Sequence, residues 1–251
     1  MSGHSKWSSI KHKKGAADVK RGKLFSKLSR AIIVAARDGG PDPAANLALQ
    51  NAIEKARSYS MPKDNIDRAI AKGSGADSDA STFETVVYEG YGPSGVAVIV
   101  EALTDNRNRT AGEVRHTFAK NDGNLGTSGA VAWLFERRGV VIVDADGADE
   151  DELTLAAAEG GADDVQLDGS TFQIYAAPEQ LAAVREAVEA AGFAIDSAEL
   201  TMVPKTTISV ESENDAKKIL RLMDQLEDND DVQDVYANFD IPEGILEAVA
   251  G

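Results

Sequence analysis

The sequence predicts an α+β protein in which a helical N-terminal domain precedes two α+β domains. The length of 251 residues and the hydrophobic content of 43% allow two or three compact domains. Apolar residues recur at helical spacing up to about residue 72, and beyond residue 82 they favour the alternation typical of strands. Between these parts lies Gly73–Ser81, a small and polar stretch of the kind that links domains.

Three helices are predicted for the first domain, residues 1–80. The first runs over Ala16–Arg37 and is stopped by Gly39-Gly40. Asp42-Pro43 is the predicted N-cap and first turn of the second helix. Pro62 opens the third helix, which ends at Gly73.

Strand patterns with one helix follow the linker. Two strands, Thr85–Glu89 and Val96–Leu103, flank a turn, and we expect a helix over Thr110–Asn121 and a strand through Val131–Phe135. The end of the chain repeats this composition as a strand, a helix and a strand, namely Thr207–Val210, Asp215–Leu226 and Val232–Phe239. The end has too few strands for a sheet of its own. We therefore predict one discontinuous α+β domain made of residues 81–136 and 205–251.

The inserted segment, residues 137–204, is acidic and has its own order of elements. A strand and a helix precede a hairpin around Asp168-Gly169, and a second helix and a strand complete the unit. This β-α-β-β-α-β order is that of the ferredoxin-like fold.

Short motifs give no reason to expect an enzyme. The chain has no cysteine, its histidines (His4, His12 and His116) lack metal-ligand spacing, and no serine lies in a G-x-S-x-G context. The G-x-G-x-x-G at Gly90–Gly95 is followed by a strand pattern, which predicts a hairpin turn instead of a dinucleotide site. Gly123–Gly129 is interpreted as a connecting loop, although contact with a phosphate stays open. We expect no catalytic residue, no metal, no cofactor and no small-molecule substrate.

Charge is distributed very unevenly. The net charge is −16, yet residues 1–72 carry +9 and residues 139–251 carry −22. Up to Arg37 there are ten Lys and Arg against Asp18 alone, with Trp7 among them. Cations neutralise phosphates and an aromatic ring can stack on an unpaired base, so this pattern favours nucleic-acid binding. A solvated helix face is the alternative, and a membrane-surface helix is disfavoured by the weak apolar face. The absence of a signal segment predicts a cytoplasmic protein with no membrane partner.

The chain resembles the YebC family from end to end. The resemblance rests on MSGHSKWSSIKHKKGAADVKRGKLFSKLSR, MPKDNIDRAI, YEGYGPSGVAVIVEALTDNRNRT and GNLGTSGAVAWLFERRG. It implies three domains, no known catalysis, and a regulator of gene expression. Some members of the family are treated as DNA-binding transcriptional regulators, and others, including mitochondrial relatives, as translational activators that help the ribosome through proline runs.

Nucleic-acid contacts are carried over from this resemblance to the basic segment and to a weaker candidate loop that opens a helix. The expected contacts are His4, Lys6, Trp7, Lys11, His12, Lys13, Lys14, Lys20, Arg21, Lys23, Lys27 and Arg30, with Arg107 and Arg109 in the loop. A Lys-rich tail with Trp and His suits RNA, so we favour a ribosomal RNA partner. DNA binding by a transcriptional regulator and a protein-interaction module are the alternatives. We expect a monomer.

Overall fold

The computed structural model of the chain describes residues 18–75 and 83–250, with the side chains of the first helix from residue 22 onwards. These residues divide into two compact units. One unit is the segment 135–205, and the other combines the described residues before 135 with those after 205.

A helical part opens the larger unit. Its helices are α1 (Asp18–Gly39), α2 (Leu47–Ser58) and α3 (Lys63–Gly73). Their apolar faces form one core in which Ile32 and Leu49 are fully buried. The end of α3 lies very close to α1, since a Cβ at Gly73 would stand 2.4 Å from the carbonyl oxygen of Ile33.

The predicted start of α2 is wrong. Asp42 accepts a hydrogen bond from the Ala44 N–H within a turn, and the N-cap is Asn46, whose side chain accepts from the Leu49 N–H at 3.1 Å. The Asn46 amide also donates to the carbonyls of Ala35 and Gly40, both at 2.8 Å. Because these partners lie at the end of α1, packing between the helices selects Asn46 as the cap.

The second part of this unit is an antiparallel sheet with helices against it. Its N-terminal elements are β1 (Glu84–Tyr91), β2 (Ala97–Thr104), α4 (Arg107–Lys120) and β3 (Asn124–Leu125). The strand order β3-β1-β2-β9 includes β9 (Val232–Ala237), a strand from the end of the chain. The turn between β1 and β2 confirms the hairpin interpretation, with Ser94 and Gly95 at positive φ.

The C-terminal elements complete this part. They are β8 (Ile208–Ser209), α7 (Glu213–Glu227), β9 (Val232–Ala237), β10 (Phe239–Asp240) and α8 (Glu243–Ala250). β9 pairs with β2, and β8 forms a short parallel pair with β10. Helix α7 buries Ile219, Leu222, Met223 and Leu226 in the core beneath the sheet.

The predicted strand through Val131–Phe135 is wrong over most of its length. Residues 132–134 form a 3₁₀ turn, and the strand begins only at Phe135. The backbone N–H groups of Val131 and Ala132 donate to the carboxylate of Glu89 instead of to a neighbouring strand.

The smaller unit has the ferredoxin-like arrangement that the sequence predicts. Its elements are β4 (Phe135–Asp144), α5 (Glu150–Glu159), β5 (Ala162–Asp168), β6 (Thr171–Ala176), α6 (Leu181–Ala190) and β7 (Ile195–Pro204). The sheet is antiparallel in the order β5-β6-β4-β7. Its core joins Val141 and Ile174 of the sheet to Leu153 and Val184 of the two helices.

Candidate nucleic-acid interface

The predicted contact residues fall into two groups. His4, Lys6, Trp7, Lys11, His12, Lys13 and Lys14 lie outside the described residues, as do the side chains of Lys20 and Arg21 in the first turn of α1. The structure places the remaining five, Lys23, Lys27, Arg30, Arg107 and Arg109, in the larger unit.

The cations of α1 lie against an acidic turn, residues 227–231, which runs from the last residue of α7 to the start of β9. The Lys23 ammonium is 3.8 Å from the Asp230 carboxylate, and Lys27 donates to the carbonyl oxygen of Glu227. Arg30 donates to the carbonyl oxygen of Asp230 at 2.7 Å. Burial lowers the pKa of Lys27, against the opposing effect of Glu227 and the neighbouring aspartates. The basic helix therefore has intramolecular anionic partners.

Asp231 is the centre of this contact. Its side chain is 6% exposed and accepts hydrogen bonds from Arg30 at 3.1 Å and from Arg109 at 2.6 Å. The hydroxyls of Thr104 and Thr110 donate to the same carboxylate at 3.2 and 2.8 Å. Burial raises the pKa of Asp231, but the hydrogen bonds from Arg109 and the threonines outweigh this effect, and the pKa lies below its ordinary value.

Further contacts link the helical part to the sheet. Lys55 of α2 forms an ion pair with Asp234 of β9 at 2.5 Å. The Arg30 guanidinium lies over the ring of Phe83 at 5.2 Å from its centroid, and Arg37 donates to the carbonyl oxygen of Phe83 at 3.0 Å. These contacts hold the helical part against the sheet within the larger unit.

The start of α4 is a capped helix terminus. Asn106 accepts a hydrogen bond from the Arg109 N–H at 3.1 Å, and the Arg109 side chain bridges Asp105 and Asp231. Arg107 is exposed. The two arginines predicted to contact nucleic acid thus differ, since Arg109 already contacts two carboxylates. Their role in nucleic-acid binding stays a prediction.

The glycine-rich loop at residues 123–134, which includes the short strand β3 and the 3₁₀ turn, encloses a carboxylate of the protein itself. Glu89 of β1 is 6% exposed and accepts from the N–H groups of Gly129 at 2.7 Å, Val131 at 2.8 Å and Ala132 at 2.7 Å. Burial raises the pKa of Glu89, but these backbone donors outweigh it and lower the pKa. Because Glu89 accepts from these three N–H groups, they are not free for a phosphate.

Sequence reasoning missed Asp231 and Glu89, whose partners lie far away along the chain, and it missed the exposure of Trp133. Among the described residues, no three His, Asp or Glu side chains are grouped so that they could hold a metal ion. Among the helices in the described ranges, none combines the length and the apolar character that a membrane crossing requires.

This arrangement of a helical domain with α+β domains, one of them ferredoxin-like, matches a known class of proteins along nearly the whole chain. Residues 5–76 match the model of the TACO1/YebC protein N-terminal domain, and residues 83–239 match that of the TACO1/YebC second and third domain. The chain belongs to the TACO1/YebC family.

Individual relatives are similar over their full length. A probable transcriptional regulatory protein of Rubrobacter xylanophilus is 57% identical, with complete coverage of both chains. One of Desulfotalea psychrophila is 54% identical with the same coverage. The crystal structure of a conserved hypothetical protein from Aquifex aeolicus is 52% identical and superposes with a TM-score of 0.79, covering 90% of this chain and 93% of that one.

Proposed function

We propose that this protein is a non-enzymatic regulator of gene expression that binds nucleic acid through its basic N-terminal domain. The observation that carries the proposal is the charge of the first 37 residues, ten cations against one carboxylate in a chain of net charge −16. The regulatory names of the relatives support the same class of function. The favoured mode is a cytoplasmic, monomeric translation factor on ribosomal RNA that aids difficult sequences such as proline runs.

The intramolecular contacts of α1 support the proposal that only part of the basic segment contacts phosphate. Lys23, Lys27 and Arg30 face the acidic turn, where a phosphate would meet carboxylates at short range. Phosphate contact is therefore expected mainly from the residues that precede them, from His4 to Arg21.

A DNA-binding transcriptional regulator is the second candidate, because the relatives are named probable transcriptional regulatory proteins. Phosphate contacts form with both DNA and RNA, so they do not distinguish the two candidates. RNA is favoured by the interleaving of lysines with Trp7 and His12, since aromatic rings stack on unpaired bases and duplex DNA offers few. A protein-interaction module is the third candidate, in which the acidic domains contact a protein and the basic tail is incidental.

Sedimentation of a cell lysate at low and raised salt separates these candidates. We expect the protein to migrate with ribosomal particles at low salt and to leave them as salt rises, because counterions compete for the phosphates. Lys13→Gln/Lys14→Gln should weaken this association. The matched control, Lys205→Gln/Lys217→Gln, removes two exposed cations from the acidic half and should not. Absence from the particles, together with footprints on one promoter, would overturn the ribosomal mode.

A further inference from the structure

Trp133 is the most exposed of the large apolar side chains in the described residues. Its exposed fraction is 66%, and the others are Leu47, Val87, Leu155 and Leu167 at 48–64%. The indole is held in place, because its Nε1–H donates to the carbonyl oxygen of Ala130 at 3.2 Å. A fixed and solvated indole has its apolar faces available to a partner.

The loop that carries Trp133 is held in place by hydrogen bonds to Glu89 and Tyr91 of β1. The Glu89 carboxylate accepts from three loop N–H groups, and the Glu89 carbonyl oxygen accepts from the Gly126 N–H at 2.7 Å. The Tyr91 hydroxyl donates at 3.1 Å to the carbonyl oxygen of Ala130, which also receives the indole N–H. Burying a carboxylate is costly unless it is well hydrogen-bonded, so these contacts favour one conformation of the loop.

The same segment is free of charge. Residues 123–134 contain no Asp, Glu, Lys or Arg, in a chain with 42 Asp and Glu. The Glu89 carboxylate beneath the loop already accepts from backbone donors. A nucleic-acid backbone that crosses this loop therefore meets no free carboxylate from the loop itself.

We propose that Trp133 is a stacking platform for an unpaired nucleobase, an inference that rests on the nucleic-acid binding proposed above. A single ring suffices for this contact, because base–aromatic stacking acts through one π-face. A stable protein interface needs about 800 Å² from each partner with an apolar centre. The other exposed residues at this end of the loop, residues 127–129 and Ala132, are Thr, Ser, Gly and Ala, whereas Val131 is buried and Leu134 is half-buried, so little apolar area adjoins the indole.

Fluorescence can test this directly because the chain has two tryptophans. Trp7→Phe keeps an aromatic ring at position 7 and leaves Trp133 as the one indole. A labelled single-stranded RNA of mixed sequence, about 12 nucleotides long, reports binding by anisotropy. We expect Trp133 emission to be quenched over the same RNA concentrations that raise the anisotropy. Duplex RNA should bind with little quenching, since its bases are paired.

Substitution supplies the second measurement. Trp133→Ala should weaken binding of the single strand by about ten-fold, within the range of one stacked base, and Trp133→Phe should retain most of it. Leu167→Ala, a truncation of another exposed apolar side chain, is the matched control and should leave the affinity unchanged. Unchanged circular dichroism of the variants excludes misfolding.

Each other outcome has a defined meaning. Anisotropy that rises without quenching, with full affinity in Trp133→Ala, overturns the stacking platform and leaves the proposed function in place. No anisotropy change in the Trp7→Phe chain and in the parent overturns both. Loss of ribosome association in Trp133→Ala with unchanged RNA affinity identifies a protein contact and overturns the assignment to a base.

Discussion

Asp231→Asn perturbs the contact that joins the basic helix to the sheet. The substitution keeps the shape of the side chain and removes the charge that faces Arg30 and Arg109. An amide also brings N–H donors against the guanidinium and hydroxyl donors that now surround the carboxylate. The variant therefore tests whether this buried carboxylate stabilises the larger unit.

The expected loss of unfolding free energy is about 2–3 kcal/mol. Removing one partner of a buried ion pair costs about 3–5 kcal/mol, chiefly because the other charge stays behind without its partner. Arg30 and Arg109 are 26% and 44% exposed, so water recovers part of this cost. Asp230→Asn is the matched control: its side chain is 67% exposed and 3.8 Å from Lys23, and a loss below about 1 kcal/mol is expected.

Urea unfolding measures both variants. In a Trp7→Phe background the emission of Trp133 reports on the compact unit that contains Asp231. A midpoint for Asp231→Asn equal to that of Asp230→Asn, at unchanged slope, would refute the reasoning.

Acid should act on the same contact. The pKa of Asp231 is lowered in the folded chain, so the contribution of its carboxylate to the free energy of unfolding is fully present above the unfolded pKa of about 4. It is lost as the pH falls through the folded pKa. The gap in stability between the parent and Asp231→Asn should be constant at neutral pH and narrow below about pH 4.

Four further substitutions probe the structure that supports these surfaces. Glu89→Gln leaves one fewer acceptor oxygen for three loop N–H groups. Hydrogen exchange of the Val131 amide should therefore become faster, and the free energy of unfolding should fall by about 1–2 kcal/mol. Unchanged exchange would contradict the role of Glu89 in holding the loop. Asn46→Ala removes the α2 cap and leaves two carbonyls of α1 without their donor, which should cost about 2 kcal/mol in thermal unfolding. Gly73→Ala should destabilise α3, because its Cβ would stand 2.4 Å from a backbone oxygen. Gly22→Ala, where a Cβ would meet open space, should stabilise α1 by up to about 1 kcal/mol. Equal melting temperatures for the two glycine variants would be inconsistent with the packing.

Periodicity and turn residues were enough to predict most elements. The ferredoxin-like order of the inserted unit could be recognised because each of its strands and helices is bounded by local signals, such as Asp168-Gly169 and Gly192. The start of α2 could not, because the choice of Asn46 over Asp42 depends on bonds to the end of α1. Local signals define elements, and tertiary contacts decide some of their ends.

Asp231 and Glu89, the two buried carboxylates of the larger unit described above, could not be identified from the sequence because their partners are distant along the chain. Asp231 meets Arg109 and Arg30 across 122 and 201 positions of the chain. In an acidic sequence no local feature distinguishes Asp231 from Asp228 or Asp230. Glu89 likewise bonds to N–H groups 40 or more positions away. The basic segment, in contrast, could be recognised from composition alone because its charges are adjacent in sequence.

Binding of the purified chain to purified ribosomes, measured by pelleting over a range of salt, tests the central claim most directly. We predict that the full chain pellets at low salt and is released as salt rises. Deletion of residues 2–14 should strongly reduce pelleting at low salt, while Lys205→Gln/Lys217→Gln should pellet as the parent does. Equal pelleting of the deleted and full chains, or no pelleting of the full chain at low salt, would contradict the account.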